Sequence, residues 1–263
     1  MKKTYRQQGF TLVEMSLVLV VIGLILGALS VGKDMQRNAE YKKIKQKFVD
    51  QWVQAYNQYY DRMGVVVGDR PKTPTLAVNA VNVTDTETIN ILLGTADDAL
   101  SQGNITELCS TPATNAVGKA ADLLGYFHRA GIGLPTGRAN GYEDRYVYLD
   151  TNGNPQQLTV CFRFLVAGAD HGAGNVMVIK GLTPDLARSL DSAIDGLVDA
   201  DDGRFRLDNA ITLGLSTGNG GDGWPTGNNT VTTAGTGGGN DTTSAVEDHQ
   251  QVITLTAFYR MTQ

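Results

Sequence analysis

The sequence predicts an α+β protein: a long N-terminal helix, membrane-spanning in its first half, packs its second half against an antiparallel β-sheet head. Three observations predict it. Phe10 to Val31 is a twenty-two-residue stretch that is apolar apart from Thr11, Glu14, two serines and glycine. Apolar and aromatic residues then recur three or four apart at Tyr41, Ile44, Phe48, Trp52, Ala55, Tyr59 and Met63. Two β-rich runs, Arg145 to Asp150 and Gln157 to Val166, flank an Asn-Gly turn.

The first nine residues carry Lys2, Lys3 and Arg6 and no acid. As a helix, the following apolar stretch extends roughly 33 Å, enough to cross a hydrocarbon layer of about 30 Å. A secretory signal peptide fits poorly, because the apolar run exceeds the usual length and no small-x-small cleavage site precedes Lys33. An ordinary signal anchor fits better but must explain Glu14, since an acid at the centre of a membrane helix costs about 2.5 to 3.5 kcal/mol on insertion scales. Such a residue calls for a partner, and the obvious one is a positive charge brought alongside by another subunit.

Lys33 to Met63 contains no Pro or Gly, and Gly64 supplies a stop. Its apolar stripe is read as packing against the protein's own sheet rather than as a cofactor-stacking surface. Gly23, Gly27 and Gly32 are weak helix formers where the helix can bend. Between residues 65 and 140 short helical patterns at Thr88 to Leu93, Thr95 to Ser101 and Ala116 to Ala130 alternate with turns. His128 reads as a surface helix residue, with no nucleophile or orienting partner identifiable beside it. After the hairpin, Val176 to Ile179 and Val252 to Tyr259 are further strands. Thr183-Pro184-Asp185 starts a short amphipathic helix carrying Leu186, Leu190, Ile194 and Leu197. Gly214 to Ala245 is dense in Gly, Asn and Thr and reads as a loop; its GNGGDG lacks the Lys and Ser/Thr of a phosphate-binding loop.

Charge is divided unevenly. Residues 1 to 63 carry 10 Lys/Arg against 5 Asp/Glu, and the remaining chain 12 against 22. An acidic body on a basic stem argues against general nucleic-acid binding, which needs a basic surface. Cys109 and Cys161, the only cysteines, form no CxxC and no zinc pattern. They are a candidate disulfide if the body is exported, the alternative being two buried thiols. Oxygen-rich clusters at Asp199, Asp201 and Asp202, and at Asp150, Asn152 and Asn154, raise calcium as the one cofactor to weigh. Neither matches an EF-hand, and turn-forming acids are the competing reading.

The run Lys2-Lys3-x-x-Arg6-Gln7-Gln8-Gly9-Phe10-Thr11-Leu12-Val13-Glu14, followed by the apolar stretch, resembles the prepilin processing motif of type IV pilins and type II secretion pseudopilins. The resemblance implies a pilin-like fold, with residues 1–9 a leader, 10–32 a transmembrane and assembly helix, 33–63 an amphipathic stem and 64–263 an α/β head carrying the loop 214–245. It implies cleavage after Gly9 by a prepilin peptidase, methylation of Phe10, and pairing of Glu14 with the terminal amine of a neighbouring subunit. Asp195 to Gly203 is similar to the helix-then-DDG turn of pilin heads. The implied partners are the peptidase, other pilin or pseudopilin subunits, an inner-membrane assembly platform and the lipid bilayer. The implied location is the bacterial inner membrane with the head in the periplasm, then a pilus or pseudopilus. The Lys and Arg residues after the span outnumber those before it, so the positive-inside count alone favours the opposite orientation. No enzymatic activity is expected. The function implied is that of a filament subunit, a minor or large pilin, with a secretion pseudopilin as the alternative and a membrane-anchored periplasmic binding protein as the remote one.

Overall fold

A computed structural model describes residues 11–69, 71–72, 74–79, 107–109, 123–165, 173–208, 223–225, 230–233, 242–245 and 252–262. The chain divides into two compact units, Met1–Lys42 and Lys43–Gln263. Helix α1 (Leu12–Ile44) makes up the described part of the first from Leu12 onward and runs two residues into the second. From Leu12 to Val31 its large apolar side chains are exposed, including Leu17, Leu19, Leu24 and Leu26. The continuous helical segment Leu12–Met63 contains a stretch long and apolar enough to cross a membrane.

In the second unit the helix widens into a π-turn at Lys45–Val49 before resuming as α2 (Asp50–Met63). The Asp50 N–H bonds the Lys45 carbonyl, five residues back, and Lys45 Nζ spans the same interval to the Asp50 carboxylate at 3.0 and 3.1 Å. The wide turn changes the phase of the stripe. Ile44, Phe48, Trp52, Ala55 and Tyr59 are buried as the spacing predicts, but Val49 and Tyr56 join them and Met63 is exposed. Helix α2 ends at Gly64, whose N–H bonds the Tyr60 carbonyl at 2.8 Å.

The head is a five-stranded antiparallel sheet of order β1-β2-β3-β7-β4. Its strands are β1 (Arg145–Leu149), β2 (Pro155–Leu165), β3 (Gly174–Leu182), β4 (Phe205–Leu207) and β7 (Leu255–Arg260). One face packs on the aromatic stripe of the helix. Tyr56 stacks on Phe162 at 5.2 Å, Trp52 meets Phe127 edge-on at 5.6 Å, and Phe48 lies 5.3 Å from Tyr146. Phe127 comes from the short helix α3 (Leu123–Arg129), the described part of the predicted Ala116 to Ala130 helix. The other face carries a smaller core of Cys161, Leu165, Val176, Val178 and Phe258, with Cys109 against it.

The β1/β2 hairpin turns as predicted, and its Asp150 carboxylate accepts N–H bonds from Asn152 and Asn154 at 2.8 Å and from the Gln156 side chain at 3.1 Å. Burial pushes this carboxyl's pKa up, and the donors outweigh it, leaving it below its ordinary value. This oxygen cluster is therefore engaged in making the turn. In β3, Gly181 sits at φ 84° where the register shifts against β7, and a Cβ there would lie 2.1 Å from the Gln157 carbonyl oxygen. Helix α4 (Pro184–Ile194) begins after Thr183 as expected but stops short of Leu197.

Two elements depart from the sequence reading. Strand β4 was not expected, being only three residues long. Inside 214–245, read as loop, Thr230–Thr233 (β5) and Thr242–Ala245 (β6) pair antiparallel; both are rich in β-branched threonine, which favours extended backbone. The helical patterns at 88–93 and 95–101 lie outside the described residues.

Candidate functional site

The described chain opens with Thr11, and the first turn of α1 is closed by a reciprocal cap. The Thr11 N–H and hydroxyl both donate to Glu14 Oε2, at 2.9 and 2.8 Å, while the Glu14 N–H bonds back to Thr11 Oγ1 at 3.3 Å. This is a capping box, and the sequence carries its signature, Thr-x-x-Glu ahead of an apolar run. Among the described residues both bonds to the carboxylate fall on Oε2, leaving Oε1 open to a further donor. The acid also lies at the helix N-terminus, where the backbone dipole favours negative charge. Thr11 thus holds a carboxylate at the head of a lipid-compatible helix. Gly9 and Phe10 lie outside the described residues.

Cys109 and Cys161 come together as a disulfide, joining the segment 107–109 to β2 with Cα atoms 4.5 Å apart. Leu108 bridges Phe162 through two backbone bonds of 2.8 and 3.0 Å, and Glu107 pairs with Lys180. Among the described residues, the group with metal-ligand spacing is Glu107, Cys109 and Cys161, and both of its sulfurs are bonded to each other.

The acids after α4 hold the turn that leads into β4. Asp199 Oδ1 accepts the Asp202 N–H at 2.9 Å, and Asp195 Oδ2 accepts those of Arg204 and Phe205 at 3.0 and 2.9 Å. Gly203, at φ 80°, lets the backbone close over Asp195, whose carboxyl carbon a Cβ would meet at 2.5 Å. Asp201 extends the cluster, and one of its oxygens is buried without a hydrogen bond among the described residues.

Sequence reasoning missed the centre of this region. Asp191, on α4, is fully buried. Its Oδ2 accepts the Trp224 indole N–H and the Asp199 backbone N–H, each at 2.8 Å, while among the described residues its Oδ1 has no partner. Burial pushes this carboxyl up to about 6, with the Asp199 and Asp195 charges adding to the rise and the two donors opposing it. Trp224 also stacks on Phe205 at 5.5 Å. No local motif marks this residue: an Asp one position after the apolar Leu190 reads as the polar side of an amphipathic helix. His128 is exposed on α3, as expected of a surface helix residue.

Against known proteins, a model of the prokaryotic N-terminal methylation motif matches residues 4–30, the signature of the type IV pilin and pseudopilin family. No curated protein and no solved structure matches the chain. The methylation motif thus covers the capped start of α1 and most of its exposed apolar stretch, while the head stands on its geometry alone.

Proposed function

We propose that the protein is a type IV pilin-like filament subunit, a minor or large pilin, cut after Gly9 by prepilin peptidase, methylated at Phe10 and assembled through its N-terminal helix. The observation that carries this reading is the methylation motif running directly into an exposed apolar helix whose first turn fixes Glu14. Before assembly the apolar side chains lie in the inner membrane with the head in the periplasm. In the filament the same side chains pack against helices of other copies, so protein contacts replace lipid contacts of similar polarity. A carboxylate inside that bundle is tolerated when a cation sits beside it. The terminal amine of the adjacent subunit, freed by cleavage, supplies that cation and sets the register.

The role is structural, with the assembly platform and its motor provided by other proteins. The disulfide suits an oxidising compartment. In this reading the Asp195 and Asp199 carboxylates serve the turn after α4, and the mechanism invokes no calcium.

Mass spectrometry of the protein taken from its native membrane tests the proposal. The expected N-terminus is methylated Phe10, and a chain starting at unmodified Met1 sinks it in favour of a membrane-anchored binding protein. Deleting the gene separates the two filament readings. Loss of surface fibres supports the pilin; retained fibres with loss of exported enzymes would assign it to a secretion pseudopilus instead.

A further inference from the structure

The turn after α4 carries two apolar residues at its tip, Leu197 and Val198, which are 71% and 51% exposed. An adjacent Leu-Val pair facing water has no use in holding the turn, whose closure is done by the Asp195 and Asp199 carboxylates. The turn that carries the tip, residues 195–203, holds four acids, Asp195, Asp199, Asp201 and Asp202, and no Lys or Arg. Its complement is an apolar surface bordered by cations.

Helix α1 has such a surface beyond its membrane-compatible stretch. Val31, Met35, Asn38 and Lys42 follow at intervals of four, three and four residues and therefore share one face. Val31 and Met35 are 62% and 70% exposed, and Asn38 and Lys42 are exposed as well. Lys43 borders the strip, and residues 33 to 47 hold six Lys/Arg against two acids. The strip also continues the exposed apolar run from Leu12, the surface assigned above to assembly.

We propose that the Leu197-Val198 tip of one copy docks on the Val31–Met35–Lys42 face of the helix of a second copy, with Lys42 set against the acids around the tip. This inference rests on the filament-subunit reading and adds to it a head-to-stem contact. Apolar complementarity supplies the attraction, and the opposite charges fix which part of the stem is chosen and disfavour head-to-head association. A second copy is the occupant because the two halves of one chain carry the two matching surfaces, a heterologous arrangement that propagates rather than closes.

Cysteine pairing in assembled polymer provides the test. Cells co-express two full-length variants, Met35→Cys and Val198→Cys, so that a bond between the two sites can only join different copies. Oxidation is expected to give a cross-linked dimer absent when either variant is expressed alone with the parent chain. A charge exchange gives an independent readout. Lys42→Glu and Asp202→Lys are each expected to lower incorporation by about tenfold, and the doubly substituted chain to recover most of it. Polymer that contains both cysteine variants but yields no mixed dimer overturns the docking, as does a double charge variant no better than the singles. If the parent chain itself enters no polymer, the filament reading has failed rather than this contact.

Discussion

Trp224 gives its indole N–H to Asp191 Oδ2 at 2.8 Å, inside a site where that carboxylate has no access to solvent. The same N–H also lies 2.8 Å from the Asp199 carbonyl oxygen, so one donor joins α4, the turn after it and the segment 223–225. The second oxygen of that acid has no partner among the described residues, and the protonation state of the carboxyl is coupled to folding.

Asp191 in the folded protein titrates near 6, above its usual 3.8. Between those values the folded state holds a proton that the unfolded state has released, so this group's contribution is full below about 3.8 and declines as pH rises towards about 6. Asp191→Asn keeps an acceptor for Trp224 and removes the titration. Urea midpoints of the detergent-solubilised protein, measured from pH 4 to 7.5, are expected to show the variant gaining on the parent as pH rises. Parallel curves for the two proteins contradict the assignment.

Replacing Trp224 by Ala removes a buried ring stacked on Phe205 and one of the two donors to Asp191 Oδ2. A loss of about 3 to 5 kcal/mol in unfolding free energy is expected. Trp224→Phe retains an aromatic ring without the donor, and should lose about 1 to 3 kcal/mol. Denaturant unfolding monitored by circular dichroism distinguishes the two, and equal losses would show that the hydrogen bond contributes little.

At the other end of the chain, Thr11→Val deletes the hydroxyl that both donates to Glu14 and accepts its N–H, while leaving the backbone bond. Incorporation into polymer should fall several-fold and return with Thr11→Ser, which restores a capping hydroxyl. Glu14→Ala should be the more severe change. Immunoblots of sheared filaments against whole cells measure all three, and wild-type incorporation of Glu14→Ala would remove the physical basis of the proposed register.

The disulfide closes a long stretch of chain, its cysteines lying 52 positions apart. Cys109→Ser combined with Cys161→Ser should cost about 2 to 4 kcal/mol of stability. The loss should match that of the parent in reductant, read as the shift in urea midpoint. A parent insensitive to reductant would argue that the two sulfurs are not bonded in solution.

Gly181→Ala places a methyl group against the Gln157 carbonyl where the β2 and β3 backbones come close. Because the backbone there is also left-handed, both strain and clash oppose the change, and a loss of at least about 2 kcal/mol is expected. A thermal midpoint within a degree of the parent would show that the sheet yields at this bulge.

Much of this architecture was readable because its signals are local. The apolar stretch before Lys33, the aromatic spacing through Trp52 and Tyr59, the Asn-Gly turn and the Thr-Pro-Asp helix start each act within one or two turns of chain. The phase change at Lys45–Val49 was not readable, since nothing in KQKFV forbids an ordinary helix; burial of Val49 and Tyr56 shows the altered facing. Strand β4 is too short for a period to register. Asp191 escaped notice because its partner, Trp224, lies 33 residues away in a stretch whose glycine content suggested only loop. At the helix start the reverse holds: Glu14 stood out by its charge in apolar surroundings, and its neighbour Thr11 was overlooked for being ordinary.

The position of β7 in the sheet has a consequence for how the head matures. This strand lies between β3 and β4, yet the chain must travel from Leu182 to Leu255 before it reaches that slot. Until then β3 presents a row of unpaired backbone groups alongside Val176, Val178 and Ile179, a template for adhesion to other emerging chains. Closing such a distant pair is entropically slow. The head therefore passes through an open, adhesive stage that ends only when β7 inserts between β3 and β4.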